Sequence, residues 1–266
     1  MSEIQPSRDD LYLQIQNLQQ QIEQLKMENA DLQIVLENTT EHADATEAAL
    51  RIEQEKSEQL LLNILPQTIA EQLKQKQHTI ADRFAEVTVL FADIVGFTKL
   101  AAQVSPTDLV HLLNDIFSGF DRLVEKHELE KIKTIGDAYM VVGGLPVPKQ
   151  EHTLAIAKMA LDMQEQMKQF SLETGEPFRI RIGIHTGPVV AGVIGIKKFI
   201  YDLWGDTVNI ASRMESHGIP GGIQVTPEVY EILKDKFVFE RRGVIRVKGK
   251  GDMMTYLLTA SHISNN

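Results

Sequence analysis

Val87-Thr88-Val89-Leu90-Phe91-Ala92-Asp93-Ile94-Val95-Gly96-Phe97-Thr98 sets one aspartate at the end of an apolar, β-branched run. Lys131-Ile132-Lys133-Thr134-Ile135-Gly136-Asp137-Ala138-Tyr139-Met140-Val141-Val142 sets a second in a similar frame. Both flanks have strand composition and predict core strands. Gly136-Asp137 between two such runs predicts a hairpin turn. Burying a carboxylate at a strand end is costly unless it is paired, hydrogen-bonded or metal-bound. Two on adjacent strands can hold a hard cation such as Mg²⁺ through oxygen. Taken alone, an aspartate that merely serves the turn backbone accounts for Asp137 equally well.

The chain has 266 residues, room for one catalytic domain and a smaller element. Its 43% hydrophobic content predicts a globular core, and its net charge of −10 argues against non-specific nucleic-acid binding. The absence of cysteine excludes disulfides, thiolate catalysis and cysteine zinc sites. No stretch has the length of a transmembrane helix, and Met1-Ser2-Glu3-Ile4-Gln5-Pro6 does not read as a signal peptide. A cytoplasmic location with no membrane insertion is the expectation. No segment reads as a sensory domain, so the residues do not specify any upstream sensor.

Leu11, Leu18, Leu25 and Leu32 form one heptad series, and Ile15, Ile22, Asn29 and Leu36 form the other. Isoleucine at a with leucine at d favours two parallel strands, and one asparagine at a fixes register and oligomer state. Residues 1–60 are therefore expected to form a parallel dimeric coiled coil. From Asn38 to Glu58 the seam weakens, with Thr39, Ala43, Thr46, Glu53 and Ser57 in core-like places. That segment reads either as a point of register change or as a slack spacer. Pro66 ends the helix, and residues 61–84 are expected to be a linker with a short helix over Gln67–Gln77.

Residues 85–260 mix strands with helices, and 261–266 form a tail. Ser105-Pro106-Thr107-Asp108 opens a helix with a cap and a proline in the first turn. Another amphipathic helix is expected over His152–Phe170, and Phe178–His185 alternates as a strand. Helices are expected after Asp206 and from Thr226-Pro227-Glu228, with strands near Phe237–Val247 and Met254–Leu258. The fold class is α+β, a mainly antiparallel sheet covered by helices. No Gly-x-x-x-x-Gly-Lys-Ser/Thr loop and no Gly-x-Gly-x-x-Gly turn occurs. The run Tyr201–Ser216 is dense in polar groups, with Asn209 and Arg213 on one helical face, and Val247-Lys248-Gly249-Lys250-Gly251 is a basic turn.

Taken together, the Phe91–Thr98 and Lys131–Met140 stretches, Ile182-Gly183-Ile184-His185-Thr186-Gly187, the Tyr201–Ser216 run and the Val247–Gly251 turn closely resemble the class III nucleotidyl cyclases. They stand in family order from Phe84 to Leu258. Glu55–Pro66 is similar to the helix that precedes cyclase domains in sensor-linked members. The resemblance implies a ferredoxin-like core. It implies two Mg²⁺ or Mn²⁺ ions per site, held by Asp93, Asp137 and the Ile94 carbonyl, with Arg213 stabilising the transition state. It further implies that Asn209 orients the ribose, that Lys248 binds phosphate, and that the site is shared between two subunits. Where some heterodimeric relatives carry a further phosphate-binding arginine, this chain has Pro188. The histidines, His185 included, lack ligand-like spacing and read as structural.

Guanylate cyclases typically have Glu in place of Lys133 and a small residue in place of Asp202. A lysine can donate to adenine N1 and an aspartate can accept from its N6 amine, whereas guanine mismatches both. The expectation is a homodimeric adenylate cyclase with ATP as substrate. The alternatives are a guanylate cyclase and a non-catalytic cyclase-fold relay. Removing residues 1–47 should leave a foldable domain whose specific activity falls more steeply on dilution, because pairing loses its effective-concentration advantage. An activity-against-concentration profile identical to that of the full chain would show that the helix is not needed for pairing.

Overall fold

The computed structural model describes residues 8–75, 80–195 and 198–262. Outside them lie the first seven residues of the expected coiled coil, the end of the expected Gln67–Gln77 helix and most of the expected tail. Contacts divide the chain into two compact units that meet between Asn63 and Ile64.

The first unit is one helix, α1 (Arg8–Leu62), unbroken through the segment where the heptads weaken. Its seam residues Leu11, Ile15, Leu18, Ile22, Leu25, Leu32 and Leu36 are all exposed in the single chain.

The second unit opens with α2 (Gln67–Lys74), which follows Pro66 and buries Ile69 and Ala70. Strand β1 (Ile80–Ile94) begins earlier than its composition suggested. Its continuous buried run Val87–Ala92 reflects a strand covered on both faces. Helices α3 (Phe97–Ala101) and α4 (Pro106–Lys126) follow. Ser105 caps α4 as expected, its Oγ accepting from the Asp108 amide at 3.2 Å, a contact worth about 1 kcal/mol. Strands β2 (Glu130–Ile135) and β3 (Ala138–Gly143) form the expected hairpin. Gly136, at φ +63°, takes the left-handed conformation that its turn requires.

Helix α5 (His152–Thr174) leads into β4 (Ile180–Val193), then β5 (Tyr201–Trp204) and α6 (Asp206–Ser216). The chain continues with β6 (Ile223–Val225), α7 (Pro227–Leu233), β7 (Phe237–Val247) and β8 (Gly251–Ser261). The sheet has the order β2-β3-β1-β4-β6-β8-β7, with β5 added along β4. Every pairing is antiparallel except β4 with β6.

Alternation along the central strands sorts their side chains between two faces. Leu90, Ala92 and Ile94 of β1 and Ile180, Ile182 and Ile184 of β4 join Ile116, Phe120, Ile156 and Met163 of α4 and α5 in the main core. Asp93, Arg181 and Gly183 therefore fall on the other face, where α6 packs. Gly183 makes that packing possible: a Cβ there would lie 1.9 Å from the Glu215 amide nitrogen and 2.6 Å from the Ala211 carbonyl oxygen. Because these are backbone atoms, Gly183→Ala must push α6 off the sheet. A loss of about 1–3 kcal/mol in chemical denaturation is expected, as for other overpacked cores. Wild-type stability would show that the helix and strand can separate freely.

Candidate active site

The register of β1 brings the first aspartate into a fixed setting. Asp93 lies across from Ala138 on one side and Arg181 on the other. Asp137, in the β2–β3 turn, is close enough to raise the Asp93 pKa by charge repulsion and hydrogen bonding. Burial is the larger cause of that rise, and the Arg181 guanidinium opposes it. Arg181 Nη2 donates to Asp93 Oδ2 at 2.7 Å. Its Nε donates to Glu215 Oε1 at 3.1 Å. Glu215 is itself held above the usual carboxylate range, first by burial and then by the Asp93 charge.

Among the described residues, no three His, Cys, Asp or Glu side chains cluster as a metal site. The two-carboxylate set nevertheless fits a hard cation, because Mg²⁺ is typically held by one or two carboxylates and completes its shell with water and substrate phosphate. Asp93 and Asp137 repel one another in a half-buried setting, which is the donor chemistry that a divalent cation relieves. Ile94, whose carbonyl the family resemblance also nominated, is the last residue of β1 and is buried.

Lys133 of β2 and Asp202 of β5 are 69 positions apart, and their side chains meet in a direct ion pair. Asp202 Oδ1 also accepts from the Leu203 amide at 2.8 Å, which fixes the carboxylate. Asn209 and Arg213 sit on the exposed face of α6, and Lys248 is exposed in the β7–β8 turn. Among the described residues, no hydrogen bond or ion pair joins these three, or Lys133 and Asp202, to the aspartate pair. Pro188 lines a cavity of about 710 Å³ together with Arg83, His185, Trp204 and Lys250. Lys250 is paired with Asp206, whereas Arg83 has no ion-pair partner among the described residues. His185 is buried, bonds Thr226 Oγ1 at 2.8 Å and is held below its usual pKa by burial, in keeping with a structural role.

Sequence reasoning missed Arg181 and Glu215. The alternating pattern put Arg181 opposite its isoleucines, but only the β1–β4 register shows that it faces Asp93. Glu130 and Tyr201, beside Lys133 and Asp202 in sequence, were missed too. Tyr201 Oη is buried without a hydrogen-bond partner among the described residues, and Glu130 is near enough to add to the rise in its pKa.

A family model described as "Adenylate and Guanylate cyclase catalytic domain" matches residues 79–260. The chain is 52% identical over 219 residues to an adenylate cyclase of Mycobacterium tuberculosis, covering 82% of this chain and 49% of that protein. It is 46% identical over 239 residues to the guanylate cyclase soluble subunit beta-2 of Rattus norvegicus, covering 89% of this chain and 35% of that subunit. The guanylate cyclase domain of RhGC from Catenaria anguillulae, solved in complex with GTP, superposes with a TM-score of 0.66 at 40% identity. That match covers 68% of this chain and 99% of that domain. The chain belongs to the class III adenylate and guanylate cyclases. It carries their catalytic domain and spans about half the length of the mycobacterial relative. Homologous domains work as dimers on a nucleotide substrate, and the class uses divalent metal ions. No described helix is long and apolar enough to cross a membrane.

Burial pushes the Glu130 carboxyl up to about 7. Between its ordinary value near 4.5 and that value, the folded state keeps a proton that the unfolded state releases. This group therefore makes stability fall as pH rises through that window, by about 3 kcal/mol. Glu130→Gln should flatten the decline seen by chemical denaturation between about pH 5 and pH 8. An unchanged slope would place the titration elsewhere.

Proposed function

We propose that this chain is an adenylate cyclase, converting ATP to 3′,5′-cyclic AMP and pyrophosphate as a cytoplasmic homodimer with two shared sites. The observation that carries the choice of base is the Lys133–Asp202 ion pair. It fixes one donor and one acceptor side by side. In the bound state Lys133 donates to adenine N1 and Asp202 accepts from the N6 amine. Guanine presents a donor at N1 and an acceptor at position 6, so neither side chain would find its complement on the base. A site built on hydrogen bonds rejects such a ligand strongly. Overall similarity does not choose between the bases, because relatives of both kinds match the chain.

Asp93, Asp137 and the Ile94 carbonyl would hold two Mg²⁺ or Mn²⁺ ions. Once bound, the ions supply the positive charge that acidifies the ribose 3′-hydroxyl and neutralises the triphosphate. Asn209 holds the ribose so that its 3′ oxygen faces the α-phosphorus. Arg213 donates to the phosphoryl oxygens as charge builds on them, where preorganised donors are worth most. Lys248 binds the phosphate tail that departs as pyrophosphate. Arg213, Asn209 and Lys248 are exposed, and among the described residues none of them bonds directly to the aspartates of its own chain, which fits their acting on a partner's nucleotide. The seam of α1 supplies the pairing.

The test is turnover of ATP and of GTP by the purified protein, each with Mg²⁺ and with Mn²⁺, for wild type and for Lys133→Glu/Asp202→Cys. Wild type should prefer ATP. In the double variant kcat/KM for ATP should fall by about 100-fold or more, with GTP turnover appearing. A wild-type preference for GTP, or a ratio that does not move, would overturn the base assignment. Turnover of neither nucleotide would favour a relay module.

A further inference from the structure

Arg181 is shared between two carboxylates on different elements. Its Nη2 lies 2.7 Å from Asp93 Oδ2 on β1 and 3.0 Å from Glu215 Oε1 on α6. All three side chains are more than two-thirds buried, at 28%, 20% and 11% exposure for Arg181, Asp93 and Glu215. A planar guanidinium can serve both carboxylates from one position, whereas an ammonium is a single point charge. Glu215 lies two residues beyond Arg213 on α6, a helix already pressed onto β4 at Gly183. One guanidinium thus ties the strand that carries Asp93 to the helix that carries Asn209 and Arg213.

In a dimer with shared sites, Asp93 and Arg213 of one protomer work in different sites. We propose that Arg181 is a positioning residue for both at once. It aims Asp93 into one site and, through Glu215, anchors the helix that delivers Arg213 to the other. The two active sites are then mechanically joined through each protomer. This inference rests on the shared-site reading above.

Heterodimers separate the two arms. A protomer bearing Asp93→Ala paired with one bearing Arg213→Ala has a single intact site, with Asp93 from the second protomer and Arg213 from the first. Arg181→Gln added to the second protomer tests the Asp93 arm; added to the first, it tests the α6 arm. Each addition should lower kcat about tenfold or more, while KM for ATP stays within about twofold because Lys133, Asp202 and Lys248 are untouched. Where Arg181→Gln fails to fold, Glu215→Gln is placed in the same two positions.

A second readout needs no turnover. In the nucleotide-free homodimer, Mn²⁺ binding followed by electron paramagnetic resonance should weaken roughly three- to tenfold with Glu215→Gln. That substitution removes a nearby negative charge and leaves Arg181 wholly to Asp93. A loss in only one heterodimer arm would overturn the two-site role, and no loss in either would overturn positioning altogether. An inactive parent heterodimer, shown to form, would overturn the shared site and with it the two-site role. Unchanged Mn²⁺ binding would overturn the Glu215–Arg181–Asp93 link independently of that outcome.

Discussion

Desolvation of Asp93 is the constraint on which the rest of this domain turns. Strand β1 lies between β3 and β4 with helices packed on both faces, so the carboxylate at its end is largely withdrawn from bulk water. The hairpin adds Asp137 and α6 adds Glu215, and each raises the cost of ionising Asp93 or is raised by it. Arg181 pairs with Asp93 and Glu215, and Asp137 adds a third carboxylate beside them. Fully ionised, the cluster carries an excess of negative charge that no described side chain neutralises. Such an excess in a half-buried setting is expensive as a structural feature and apt for binding a divalent cation. The main core on the opposite face holds β1 and β4 in the register that creates it.

Much of the fold was legible because the longer elements have strong periodicity or clear ends. Ser105 and Pro106 marked the start of α4, and the alternation Phe178–His185 marked most of β4. What was missed lacked a signal of that kind. Strands β5 and β6 have four and three residues, too short to display a period of two. Strand β4 runs on to Val193 through Gly187-Pro188, a pair that reads as a break. Pro188 is tolerated because the β1–β4 ladder shifts register between Phe84 and Val87, opposite it. The helix α1 passes through Thr39, Thr46, Glu53 and Ser57 without interruption, since a weak seam alters burial against a partner and not the helical hydrogen bonds.

The site was legible in a different way. Asp93 and Asp137 stood out because each is a charge within an apolar run, and the β1–β3 register, which sets Asp93 across from Ala138, brings them close. Lys133 and Asp202 carried no local signal of a common purpose; a family resemblance nominated them, and topology places them in contact. Arg181 and Glu215 stayed hidden because their meaning depends on which strand lies beside β4 and how closely α6 can approach. Both depend on long-range register and on Gly183, where the missing side chain leaves room for the Glu215 backbone.

The pairing of Lys133 with Asp202 gives the proposed selectivity a physical basis. Without nucleotide the two charges satisfy one another, and the bond from the Leu203 amide keeps Asp202 in place. An entering base must replace a charge-assisted contact with hydrogen bonds of its own. Adenine offers both the acceptor and the donor that the pair requires, so the exchange is nearly balanced. Guanine offers neither in the right place, so breaking the pair to admit it would go uncompensated. The proposed discrimination would arise from what the wrong base fails to replace, and it would depend on two side chains held by separate strands of one sheet. Any shift of β5 against β2 would loosen that pair.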